Sequence, residues 1–170
     1  MSRKTLLTSF DTWLPHQKSN SSDDLLTELL KIDSLPISSL HLLRKLPVDF
    51  QLAPSQVISK INQLQPDIIV CCGMAEARKK LTIESNAKNE CEILKTTFDI
   101  DHLVAGLSIT EISHDAGWFV CNRLYYLILQ YISDRNLNQQ CLFVHVPILT
   151  QENLGQIVTD FLLILQKIKS

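Results

Sequence analysis

The sequence predicts an α/β protein of three layers, αβα, built on a mostly parallel central sheet. Two continuous apolar runs, "DIIVCC" within 66–74 and "CLFVHV" within 141–149, read as strands buried on both faces. Two stretches of helical periodicity, "LLTELLKI" and "ENLGQIVTDFLLILQKIK", read as helices that cover such a sheet. Strand-like and helix-like segments alternate along the chain, the pattern of a layered α/β fold.

The elements follow in order. "KTLLTSF" (4–10) reads as a first strand. A helix starts near residue 22, where Ser21 and Asp24, three apart, resemble a capping box. "LHLLRKLPV" (40–48) suits helix or strand by periodicity, and its short span and Pro47 favour strand. Pro54 fits the first turn of a helix over about 55–64. After the buried strand at 66–74, the alternation of Leu81 and Ile83 in "KKLTIESNA" indicates another strand. A helix over 118–133, the strand at 141–149 and a helix over 152–168 complete the chain.

At 170 residues, with 45% hydrophobic and 20% charged content, the sequence describes one domain, 1–170, able to bury a sizeable core. A net charge of −2 offers no basic field, and "RKK" at 78–80 is too short to create one, so neither nucleic acid nor a membrane is an expected partner. The N-terminal "MSRKTLLTSFDTWLP" lacks the apolar core of a signal peptide, and a cytoplasmic location is expected. Five cysteines (71, 72, 91, 121, 141) without CxxC spacing argue for reduced thiols and against a structural zinc site. No phosphate-binding glycine loop is present, so no cofactor is expected, and no metal.

Three residues carry possible chemistry. Cys121 lies at the start of the helical stretch in "HDAGWFVCNRLYYLILQ". Such a cysteine is by type a small core hydrophobe. In a helix's first turn, however, the macrodipole and unpaired N–H groups favour thiolate, and those groups can receive an oxyanion. On this basis Cys121 is expected to alkylate well below the pH of an ordinary thiol, and ahead of the other four. His145 is the one ionisable residue of an otherwise apolar strand, either a core histidine or the base that a cysteine nucleophile needs. His16 and His102 sit in polar loops, His41 begins a strand, and His114 precedes the turn before Cys121. Glu84 is a carboxylate in a half-buried strand, either solvated or the group that orients the imidazole.

"LLTSFD", "RKLPV", "QPDIIVCCGMAEAR", "IESNAKN", "DAGWFVCNRLYY" and "FVHVP" resemble, in this order, the successive motifs of pyroglutamyl peptidase I, peptidase family C15. The family reads L-L-T-G-F-x-P-F-G-G, x-L-P-V, P-D-x-x-I-x-x-G-x-A-G-G-R with E-R-x-A-x-N, A-G-T-F-V-C-N and F-I-H-x-P. The resemblance implies an α/β cysteine peptidase in which Cys121 is the nucleophile, His145 the general base and acid, and Glu84 the orienting carboxylate. The substrate would be a peptide blocked by an N-terminal pyroglutamyl ring, bound by Phe10, Trp13, Met74, Phe119 and Val120. A homo-oligomer is a further implication.

The sequence departs from the family at named positions. Trp13 stands for a pocket phenylalanine, Met74 for a glutamine, Glu76 and Ala77 for two glycines, Trp118 for a threonine and Leu94 for an arginine, while Arg78 is kept. The stretch from Glu84 to Cys121 is shorter than the family's. Three readings therefore stand: a pyroglutamyl peptidase, a cysteine hydrolase for a different and less polar amide or ester, and a catalytically silent interaction domain on the same fold.

Overall fold

The computed structural model describes residues 3–33 and 39–170. Its strands are β1 (Thr5–Phe10), β2 (Leu40–Leu46), β3 (Ile68–Met74), β4 (Leu81–Glu84), β5 (Asn86–Lys88), β6 (Ile93–Lys95), β7 (Thr110–Ser113) and β8 (Gln140–Val146). The helices are α1 (Ser21–Leu29), α2 (Leu52–Leu64), α3 (Ile100–Val104), α4 (Val120–Asp134) and α5 (Leu154–Lys167). Six strands form one sheet in the order β2-β1-β3-β8-β4-β7, and β5 and β6 form a separate two-stranded ribbon. All neighbours in the large sheet run parallel except β4 and β8, which are antiparallel.

The two faces are covered separately, which makes the three layers the sequence predicts. Leu25, Leu26 and Leu29 of α1, Leu103 of α3, and Ile157, Phe161 and Ile164 of α5 pack with Leu7, Val70 and Val144 on one face. Ala53, Val57 and Ile61 of α2 and Leu124, Tyr125 and Ile128 of α4 pack with Leu6, Cys71 and Phe143 on the other, where Ala87 of β5 joins them. Strands β3 and β8 are buried because they carry mostly apolar residues at successive positions, and β1 is buried as well although Thr5, Thr8 and Ser9 are polar.

Local chemistry moves several boundaries from the sequence reading. Ser21 does not cap α1. Asn20 does, its Oδ1 accepting from the Ser22 N–H and the Ser22 hydroxyl, while the Ser21 hydroxyl donates to the Val146 carbonyl. Helix α2 begins at Leu52, earlier than about 55, because Asp49 Oδ1 accepts the N–H groups of Gln51 and Leu52. The strand read through "KKLTIESNA" breaks at Ser85, whose N–H turns to the Ser113 carbonyl and directs β5 away from the sheet.

Asp160 of α5 fixes the start of β7. Its two oxygens accept the N–H groups of Ser108 and Ile109 and the hydroxyls of Ser108 and Thr110, fixing the loop that leads into β7. Burial would raise this carboxyl, but the bonds from Ile109, Ser108 and Thr110 outweigh it and hold Asp160 below its ordinary range. A depressed carboxyl stabilises the fold above the unfolded value, and that support is lost as pH falls through the lowered folded value. Asp160→Ala is expected to cost about 2–4 kcal/mol in urea unfolding near neutral pH. The deficit relative to wild type should shrink below the ordinary carboxylate range, and a variant as stable as wild type would contradict this account.

Candidate active site

The C-terminal ends of β1, β3 and β8 meet the start of α4 around a cavity of about 510 Å³. Parallel strands leave such a crevice beyond their carboxyl ends, and loops from different strands can line it together. Cys121, His145, Phe10, Trp13, Met74, Phe119 and Val120 all line this cavity. Glu84 lies behind it, with no exposed surface.

Register brings the acid and the imidazole together. In the antiparallel β4–β8 pair, Thr82 faces His145 and Glu84 faces Phe143, so Glu84 and His145 are diagonal neighbours on one face. His145 Nδ1–H donates to Glu84 Oε1 at 2.6 Å, and the ring rests against Phe143 with centroids 4.8 Å apart. An ionised carboxylate requires the donor at Nδ1, which leaves Nε2 with a lone pair for a substrate or thiol proton. Burial would raise the Glu84 carboxyl. The bond and charge of His145, together with Ser113 and Arg78, outweigh burial and hold it below its ordinary value.

Cys121 is the second residue of α4, half-buried, with Phe119 in the cap position and no side chain closing the helix start. The sulfur lies over Gly73, which pairs with His145 across β3 and β8. A methyl group on Gly73 would stand 2.6 Å from Cys121 Sγ and 2.9 Å from Phe143 Cζ. The missing side chain at 73 is therefore the space that the thiol occupies beside the histidine. No hydrogen bond joins thiol and ring among the described residues; contacts of this kind often tighten only when substrate binds.

The thiol's protonation differs from the sequence expectation. Burial, then Cys71 and Glu84, push it up to about 12, and the helix-start N–H and Arg78 only partly oppose this. The resting group is a neutral thiol, and any attack by its sulfur requires a base to take the proton. Exposure also reorders the cysteines, since Cys91 is exposed while Cys71, Cys72 and Cys141 are buried.

Several site residues were not singled out by residue type alone. Gly73 makes room for sulfur. Arg78 donates to Glu84, to the Thr82 hydroxyl at 2.6 Å and to the Asp115 carbonyl at 3.0 Å. Asp115 accepts from Lys88 Nζ and the Gly117 N–H and shapes the turn, with Gly117 at φ 80°, that enters α4. Asn122 exchanges two hydrogen bonds with the Lys88 backbone and fixes α4 to β5. Leu94 and Lys95 are not at the site, because Leu94 pairs with Ala87 across the small ribbon and both line a different cavity. His114 bonds Ser85 at 2.8 Å, and His16 bonds Glu76 at the cavity mouth.

A thiol at a helix start, with an imidazole and a carboxylate on neighbouring strands of an α/β sheet, is an arrangement that can support nucleophilic thiol chemistry of the kind cysteine-type peptidases use. A family model described as pyroglutamyl peptidase matches residues 104–167, the segment that carries Cys121 and His145. Along most of its length the chain is similar to pyrrolidone-carboxylate peptidases. A pyrrolidone-carboxylate peptidase of Brachyspira hyodysenteriae is 26% identical over 185 residues, covering 94% of this chain and 90% of the relative. That alignment exceeds the chain's own 170 residues, so the relative holds residues inside the aligned region that have no counterpart here. A Thermoanaerobacter pseudethanolicus protein of the same name is 29% identical over 180 residues, covering 90% of this chain and 86% of its own.

The fold is likewise that of pyroglutamyl peptidase I from Bacillus amyloliquefaciens, with a TM-score of 0.81, 22% identity and coverage of 96% and 93% of the two chains. Pyrrolidone carboxyl peptidase from Pyrococcus furiosus gives a TM-score of 0.80 at 20% identity, with coverage of 96% and 97%. Among the described residues no helix is long and apolar enough to cross a membrane.

Two measurements check the site. Iodoacetamide should label Cys91 first at pH 7, and the rate at Cys121 should climb with pH without a plateau below about pH 10, as expected of a raised thiol. A plateau near neutrality would restore the thiolate reading. Gly73→Ala should displace the sulfur and lower Cys121 labelling at least about 10-fold at any pH, since core overpacking forces side chains from their places. Unchanged labelling would mean that Gly73 does not set the thiol's position.

Proposed function

We propose that this chain is a cysteine peptidase that removes an N-terminal pyroglutamyl residue from peptides, with Cys121 as nucleophile, His145 as general base and acid, and Glu84 as the group that orients the imidazole. The observation that carries the reading is the buried Glu84–His145 bond of 2.6 Å on strands that open into the cavity lined by Cys121. The relatives' names support the substrate class.

The geometry supports a stepwise route. Glu84 holds Nδ1–H, so Nε2 accepts the thiol proton while Sγ attacks the carbonyl that joins the pyroglutamyl ring to the next residue. First-turn N–H groups of α4, which no side chain caps, receive the developing oxyanion. The imidazolium gives its proton to the departing amine, leaving a thioester. Water, deprotonated by His145, then releases pyroglutamate and restores the thiol. Phe10, Trp13, Phe50 and Phe119 supply apolar walls for the ring's methylenes.

One observation favours a second reading, in which the acyl group is less polar than a lactam. The polar side chains of the cavity already have partners. Gln17 bonds Glu76 and the N–H groups of Trp13 and Leu14, Asn20 caps α1, and the Met74 sulfur accepts the Ser21 N–H at 3.4 Å. A lactam edge would then be buried with one partner too few, which costs about 1–3 kcal/mol.

A pyroglutamyl amide reporter separates the readings. Wild type should hydrolyse it weakly, Cys121→Ala should abolish turnover, and His145→Ala should lower it about 10²–10⁴-fold. Met74→Gln, which restores an amide, should raise kcat/KM by about 5- to 150-fold, the equivalent of one recovered hydrogen bond. Faster cleavage of a cyclopentanecarbonyl amide than of the pyroglutamyl one would favour the second reading. Equal background rates for wild type and Cys121→Ala on both reporters would leave an interaction domain.

A further inference from the structure

Arg78 is the one lysine or arginine among the described residues that line the cavity. It sits in the short connection from β3 to β4, and its guanidinium faces two parts of the site at once. On one side Nη1 donates to Glu84 Oε1, the same oxygen that accepts His145 Nδ1–H. On the other, Nη2 donates to the Asp115 carbonyl at 3.0 Å and lies 3.3 Å from the Ser113 hydroxyl, at the turn that delivers Cys121 into α4. The second oxygen of Glu84, buried, has no hydrogen-bond partner, so Arg78 and His145 share the neutralisation of that carboxylate at Oε1.

Resting on the peptidase reading above, we propose that Arg78 is a positioning residue that fixes the Glu84–His145 pair relative to the Cys121 turn and supplies the positive charge that lets both a carboxylate and a developing thiolate exist in one buried site.

The charged and titratable groups around this guanidinium are Glu84 on β4, His145 on β8, Asp115 before α4 with Lys88 of β5 bound to it, and Cys121 on α4 with Cys71 of β3 nearby. Removing one cation from this set acts on all three reacting groups in the same direction. Without it the carboxylate is harder to ionise, the imidazolium is easier to form and the thiolate is harder to form. The Glu84 carboxyl and the Cys121 thiol then lose their protons at higher pH. A residue that merely held two loops together would lower activity without moving those midpoints.

Variants Arg78→Gln and Arg78→Lys separate charge from geometry, with Lys79→Met, an exposed neighbour, as control. Two readouts are followed: the pH profile of kcat/KM on a pyroglutamyl amide, and the pH profile of Cys121 alkylation, which needs no substrate. Arg78→Gln should move the acid limb of the first and the rise of the second upward by roughly one pH unit, the scale expected for a lost neighbouring charge, and should lower kcat at least about 10-fold. Arg78→Lys should leave both profiles in place while kcat falls, because an ammonium cannot span Glu84 and Asp115 together.

Unmoved profiles in a folded Arg78→Gln protein would overturn the proposal. If that variant does not fold, Arg78→Lys decides, and unchanged kcat would overturn it. Should wild type prove inactive on pyroglutamyl substrates, the alkylation profiles still test Arg78: an upward shift in Arg78→Gln upholds its charge role and faults only the substrate, and no shift rejects it.

Discussion

A carboxylate with no exposed surface is the constraint around which the rest is arranged. Ionised Glu84 loses several kcal/mol of hydration on burial, and only close pairing with good geometry offsets such a loss. The pairing comes from β8 through His145 and from the β3–β4 connection through Arg78. Neither contact survives a change of strand register. A slip of one residue between β4 and β8 would send Glu84 or His145 to the opposite face of the sheet, into the cluster under α1 and α5. The sheet's pairing is therefore fixed by its charges as well as by its apolar residues.

The state of the Cys121 thiol follows from a contest that burial wins. A helix start favours a nearby anion by about 0.3–1 kcal/mol, whereas removing an anion from water costs several. With Glu84 also close, Cys121 stays protonated at rest. A neutral thiol reacts poorly with stray electrophiles.

Much of this architecture is legible in the chain. Strands β3 and β8 announce themselves as apolar runs between breakers, α5 as a long periodic stretch, and His145 as the lone ionisable residue of its strand. What escapes has physical reasons. Elements β6, α3 and β7 are three to five residues long, too short to show a period. Asn20 outcompetes Ser21 as cap because the Ser21 hydroxyl is already committed to Val146 across the fold. Glu84 reads as half-solvated because alternation in "LTIE" does not reveal that His145 and Arg78 close over its carboxylate, whereas all four residues are buried. The roles of Gly73 and Arg78 depend on contacts between segments far apart in sequence, which no local pattern contains.

Strand β8 lies between β3 and β4, and those two are joined by only the short segment 75–80. Synthesis makes β3 and β4 long before β8. Until residue 146 has emerged, each presents an unpaired inner edge, and the connection between them spans an empty slot. Unpaired edges invite association with other strands. Closing the slot requires contacts between residues some seventy positions apart, a slow kind of event. The imidazole arrives with that closing strand, so the Glu84–His145 pair cannot form before the sheet is whole. The site is in this sense a late product of folding, and a nascent or partly folded chain carries the Cys121 thiol without the imidazole that finally lies beside it.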